Sequence, residues 1–217
     1  MNMENSLPWP NEYKGLFVQG GNYHEFAHFG WGDIWQQFYG YCTGYKESAD
    51  LLIDGAMASQ DIARLDTVVF PAFFLYRQFI ELALKQAILQ FSSEEWSEKI
   101  ATLKKLNHDL VAIWKEFIKA LPPARDESDK TTLEVVGRYI QEFSDVDKFS
   151  FSFRYPITKD LRLIFGEEQR INLRHVKDRM AELEAFFSGT DAYMDDLRTS
   201  ENEMRAEFEN DLYQSGF

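Results

Sequence analysis

The stretch PAFFLYRQFIELALKQAILQ, Pro71 to Gln90, is the one from which the fold is read. At 3.6 residues per turn, Arg77, Glu81 and Lys85 stack above one another in an arc of about 80°. The rest of the circumference is almost wholly apolar, built from Phe73, Leu75, Tyr76, Phe79, Ile80, Leu84 and Ala87, and even Phe74 and Ile88 fall within the charged stripe. A helix apolar nearly all round belongs at the centre of a bundle. Charges set among such large apolar groups must be paired once water is withdrawn. The ladder reads either as a structural ion-pair network along a groove edge or as a preorganised polar site.

Helical spacing continues on both sides. Ile34, Phe38, Tyr41, Tyr45, Ala49, Leu52 and Ala56 predict a helix over Asp33 to Ser59. The central helix is expected from Asp61 to Phe91, with a kink or a fresh start at Pro71, since proline lacks a backbone donor and clashes one turn back. After a polar break at Ser92 to Glu98, Asn107 is the expected N-cap of a helix carrying Leu110, Ile113, Trp114 and Phe117 to Leu121, where Pro122 and Pro123 stop it. Leu133, Val136, Ile140 and Phe143 predict a helix over Thr132 to Phe143. Phe149, Phe151 and Phe153 alternate, as do Leu161, Leu163 and Phe165, so Lys148 to Phe165 is expected to be irregular or a small β-hairpin. Asn172 is expected to open a helix that Gly189 closes, with Thr190 capping a final acidic helix.

Three segments result: an irregular aromatic-rich arm (1–33), a mainly α-helical up-and-down bundle (34–189) and an acidic C-terminal helix or tail (190–217). The arm carries Trp9, Tyr13, Phe17, Tyr23, Phe26, Phe29 and Trp31 between prolines and glycines. Leaving these rings wet is costly, so the arm is expected to wrap onto the bundle or to bury against a second subunit.

The chain has 217 residues, nineteen of them phenylalanine, enough for one filled core. A single cysteine, Cys42, excludes an internal disulfide framework, and its apolar helical setting suits a small core residue. The Met1 end lacks a basic segment followed by an apolar run, and the apolar run Val68 to Leu75 is too short to span a bilayer. A cytoplasmic protein with no membrane span is therefore expected. A formal charge of −13 argues against general affinity for phosphate polymers. The acids gather at Asp191, Asp195, Asp196, Glu201, Glu203, Glu207, Glu209 and Asp211, whereas Arg170 to Arg179 is basic, which leaves room for a local anion site. No glycine-rich nucleotide loop occurs, and no cofactor is expected.

Phe74 to Lys85, followed by His108-Asp109-Leu110 and Ile113-Trp114, resembles the HEPN superfamily, and Phe153-Arg154-Tyr155-Pro156 is similar to a phrase in HEPN-like bacterial proteins. The resemblance covers about Gly44 to Phe187. It implies a compact helical bundle, commonly dimeric, of the kind found in toxins, antitoxins, phage-defence proteins and RNA-processing enzymes. RNA or a nucleotide as ligand and a partner protein follow from it, as does a polar or RNA-binding site at Arg77, Glu81, Lys85, His108 and Arg154. Many such nucleases carry an arginine, an apolar residue, three variable residues and a histidine, a spacing that Arg170 to His175 fits. In that role His175 would move a proton at a ribose 2′-hydroxyl and Arg170 would stabilise charge on the phosphorane, which implies metal-independent RNA cleavage. A noncatalytic dimeric regulatory or interaction module is the alternative.

A third reading comes from His24-Glu25-Phe26-Ala27-His28, which satisfies the H-E-x-x-H pattern of zinc hydrolases. On an α-helix His24 and His28 would share a face and bind the metal, with Glu25 as base. The flanking Gly20, Gly21, Gly30 and Gly32 leave room for only a short helix.

Overall fold

The computed structural model describes residues 15–147 and 150–214. Its described residues form six α-helices: α1 (Ile34–Ser59), α2 (Ile62–Phe91), α3 (Trp96–Leu106), α4 (Leu110–Ala120), α5 (Glu127–Val146) and α6 (Leu173–Gln214). The mainly helical class expected from the sequence is present.

Local chemistry sets each start. Asp33 accepts from the Gln36 amide at 2.9 Å while the Gln36 side chain accepts from the Asp33 amide at 2.9 Å, closing a capping box at α1. Asp61 caps α2 through the Ala63 amide, and Asp126 caps α5 through the Asp129 amide. Between α1 and α2 the chain reverses at Gln60, whose left-handed backbone (φ 53°) returns its N–H to the Met57 carbonyl.

The core lies where α2 meets α1, α4, α6 and α3, with α1 its most extensive partner, and Phe73 of α2 packs on Phe143 of α5. Ala72, Tyr76, Ile80 and Leu84 of α2 are sealed against Ala49 and Ile53 of α1, Ile113 and Phe117 of α4, Ile140 of α5 and Leu183 of α6. Pro71 lies inside α2, which is assigned as one helix rather than two. An interior proline costs about 3 kcal/mol. Burying a large side chain returns roughly 1.5–3 kcal/mol, and Phe73 and Tyr76 are both buried directly after it. Where α4 crosses α5, Gly137 lets the helices meet closely: a Cβ there would stand 3.0 Å from the Trp114 indole nitrogen, and the indole would have to give by a few tenths of an ångström.

By length and composition, α2 is among the described residues the one helix able to cross a membrane; 44% of its most apolar window is buried inside the protein. Its apolar character matches a core position.

Several boundaries differ from expectation. The break after Phe91 contains α3, opened at Glu95, whose amide donates to the Glu98 carboxylate at 3.3 Å. Asn107 does not start α4; it ends α3 with φ 51° and ψ −113°, and Asp109 caps α4 through the Ala112 amide at 3.0 Å. Helix α5 begins at Glu127, ahead of Thr132.

Asn172 does cap α6, accepting from the His175 amide at 3.0 Å, but Gly189 does not end it. The Thr190 hydroxyl donates to the Phe186 carbonyl at 2.8 Å, inside a helix that runs on into the acidic segment. Residues 150–172 are irregular, and their only pairing is an isolated antiparallel bridge between Ile157 and Leu163. Phe149 lies outside the described residues; Phe153 and Phe165 stack on each other and on Phe73 and Phe70 of α2, which anchors the segment over that helix. In the described part of the arm, residues 15–33, only the end nearest α1 touches the bundle, where the half-exposed Trp31 ring lies against Gly40, while Phe17 and Phe29 stand in solvent; Trp9 and Tyr13 lie outside the described residues.

Candidate functional site

The charged seam of α2 closes into a buried ionic knot. Arg77 is fully buried, and each of its nitrogens is engaged. Nη1 donates to Glu81 Oε2 at 2.6 Å, Nη2 to the His108 carbonyl at 2.5 Å, and Nε to the Asp147 carbonyl at 3.1 Å, with Asp147 Oδ2 at 3.5 Å. Glu81, 3% exposed, holds Lys85 Nζ at 2.6 Å and His108 Nδ1 at 2.8 Å through its other oxygen. Lys85 also donates to the Asn107 carbonyl at 2.7 Å.

The backbone break at Asn107-His108 thus gives its freed carbonyls to two cations of α2. Burial alone would raise the Glu81 pKa, but the bonds from Lys85, Arg77 and His108 outweigh it and hold the carboxyl below its ordinary value. Only the His108 ring reaches well into water, its side chain 48% exposed. Chemically, the knot orients one imidazole with a carboxylate while fixing the α3–α4 junction to α2.

Asp147 links the knot to the irregular segment. It is fully buried at the end of α5, and its Oδ1 accepts from the Phe151 and Ser152 amides at 2.6 and 2.8 Å. Among the described residues Oδ2 has no hydrogen-bond partner, and its one ion pair is with Arg77 Nε. Gln78 Nε2 donates to Ser150 Oγ at 2.8 Å. Arg154 stands one step outside, donating through Nε to the Ser150 carbonyl, its guanidinium 5.7 Å from the Tyr155 ring centre.

A second knot was not expected. Lys46 of α1, 5% exposed, bridges Asp50 and Glu184 of α6, each at 2.8 Å, and the Tyr76 hydroxyl donates to Asp50 at 2.6 Å. Burial alone would lower the Lys46 ammonium, and the bonds to the two acids more than reverse it. Burial first, then Asp50, pushes the Tyr76 hydroxyl above the usual phenol range. The available signal was the Lys46–Asp50 pair, four residues apart among apolar helical positions.

Among the described residues no hydrogen bond or ion pair joins Arg170 to His175. Arg170 lies before α6, its side chain 94% exposed and 3.9 Å from Glu168; His175 lies exposed in the first turn of α6. No hydrogen bond or ion pair joins either to the α2 knot among the described residues. The His24–His28 motif is not set on an α-helix, on which the two imidazoles would share a face as in the zinc-hydrolase pattern: Tyr23–Glu25 is a single 3₁₀ turn. Its Glu25 carboxylate is engaged by the Asn22 amide at 3.3 Å. Among the described residues no group of three His, Cys, Asp or Glu side chains could hold a metal.

A cleft of about 220 Å³ lies between α1, α2 and α6, where Gln90 Nε2 donates to Asp191 at 2.9 Å. Burial raises the Asp191 carboxyl, helped by Asp195, and in the same wall burial pushes the Cys42 thiol up to about 12. A thiol raised this far stays protonated at neutral pH. No family model matches the chain, and neither does any curated protein or solved structure.

Proposed function

We propose that the chain is a HEPN-like helical module that acts noncatalytically, as a cytoplasmic homodimer, in assemblies of the toxin–antitoxin, phage-defence or RNA-processing kind. The observation that carries this reading is the contrast between engaged and free groups. The polar side chains of the central seam are occupied in holding helices together, whereas Phe17 and Phe29 of the arm stand 85% and 91% exposed. Free apolar surface of this kind marks an association site. The arm then buries against a second subunit.

Sedimentation equilibrium tests the reading. Wild type is expected to be a dimer, and Phe17→Ser with Phe29→Ser a folded monomer; a wild-type monomer up to the solubility limit overturns it. A metal-independent ribonuclease is the second reading, favoured by the solvent access of Arg170 and His175 at the start of α6. RNA incubated with chelator and either wild type or His175→Ala separates the two. No cleavage by either protein is expected; cleavage by wild type that His175→Ala abolishes transfers the function to the nuclease.

A further inference from the structure

Helix α6 leaves the bundle at Arg198, which donates to the Gln90 carbonyl and lies 5.5 Å from the Phe91 ring centre. Residues 199–211 are all exposed, although the helix continues to Gln214, a length of roughly 24 Å beyond Arg198. Met194, Leu197, Glu201, Met204 and Phe208 follow one another at three- and four-residue steps and fall within an arc of about 80°. The first of these is buried on the bundle, and the line then runs out into solvent, with Met204 60% and Phe208 65% exposed.

Glu201 lies on this line, and Glu207, Glu209 and Asp211 flank it within about 100°, against one base, Arg205, while Glu203 faces the other way. A second copy laid on the same line would set two acidic faces together, a repulsive arrangement. A partner helix carrying lysines and arginines beside aliphatic side chains meets both requirements: it covers Met204 and Phe208 and compensates the acids. The overhang is also held by propensity alone, and such helix is marginal in water until something packs on it.

We infer that the 199–211 overhang of α6 is a docking face for a basic amphipathic helix of a partner protein. This rests on the interaction-module reading and names the partner's chemistry, using a face separate from the arm.

The probe is a synthetic three-heptad peptide with leucine at the first and fourth positions and lysine or arginine elsewhere, titrated into the full-length protein at physiological salt. Binding is expected to weaken at least about tenfold, or about 1.4 kcal/mol, when Met204 and Phe208 are both changed to serine. The same loss is expected when the peptide's leucines become serine, and again when its bases become glutamate. Equal binding by the leucine-free peptide, or by the doubly substituted protein, reduces the effect to charge adsorption and overturns the proposal. Sedimentation of the same samples distinguishes the two proposals: a dimer that persists in Met204→Ser/Phe208→Ser leaves the arm reading intact, while its conversion to monomer makes a second copy the occupant and sinks the partner helix.

Discussion

The two buried ionic knots are built from similar chemistry and sealed to different degrees. Around Arg77 the side chains of Glu81 and Asp147 are 4% and 0% exposed, so neither acid has water to fall back on. Around Lys46, Asp50 is 21% and Glu184 47% exposed. The cation is buried in both, but only the first knot would leave a fully buried carboxylate, Asp147, without a cation if that cation were lost. The cost of breaking an ion pair is set by what remains behind rather than by the pair. The knot that ties α2 to the α3–α4 junction and to α5 should therefore dominate stability, and the one that ties α1 to α6 should be adjustable.

Arg77→Met is the severest way to break this contrast. It leaves Glu81 with Lys85 and His108 but removes every compensation from Asp147 Oδ2, and it orphans two carbonyls. A loss of about 3–5 kcal/mol is expected, read as a lower urea midpoint, or as failure to fold. Asp147→Asn in the Arg77→Met background should recover part of the loss by removing the stranded charge. A single Arg77→Met change that leaves stability within about 1 kcal/mol of wild type would show that the seam is not sealed.

Lys46→Met should cost less, about 1–3 kcal/mol, because Glu184 can turn to solvent. The two knots should also part company with pH. Glu81 has a depressed folded pKa, so its contribution is complete above its ordinary value of 4.5 and disappears as pH falls through the lower folded value. Lys46 has a raised folded pKa, so its contribution is complete below 10.5 and disappears as pH rises through the folded value. Thermal melts across pH should then show Glu81→Gln flattening the acid limb and Lys46→Met flattening the alkaline limb. The reverse assignment of limbs would refute the division.

The first knot was half legible in the sequence and the second hardly at all, for a physical reason. Arg77, Glu81 and Lys85 announce themselves because three charges at four-residue steps interrupt an apolar helix, and periodicity reports a single element well. Asp147 could not be found that way, since it pairs across seventy residues from a helix end that the pattern placed at Phe143. Asn107 misled because asparagine suits both the start of a helix and the positive-φ end of one; the neighbouring Asp109 was the true cap. Gly189 misled in the same manner, since a glycine can lie within a helix whose following residues, Asp191 and Met194, stay docked on the bundle. The H-E-x-x-H spacing gave the wrong geometry because a spacing acquires meaning only on an α-helix, and the glycines on either side had already cut that helix short.

Tyr76→Phe is the smallest and sharpest probe of the second knot, since it removes one oxygen and leaves the buried ring in place. The hydroxyl donates to Asp50 at 2.6 Å, and Asp50 keeps Lys46 at 2.8 Å, so the carboxylate is not stranded. The loss should be about 0.5–1.5 kcal/mol, that of one hydrogen bond. Part of the alkaline limb should go with it: the folded hydroxyl holds its proton above the ordinary value of 10.0, so the unfolded chain ionises first and stability drains away above that pH. In the double variant with Lys46→Met the two losses should not add, because both act on the same carboxylate. Strict additivity in that cycle would mean that Tyr76 and Lys46 touch Asp50 independently, and the knot would dissolve into two separate bonds.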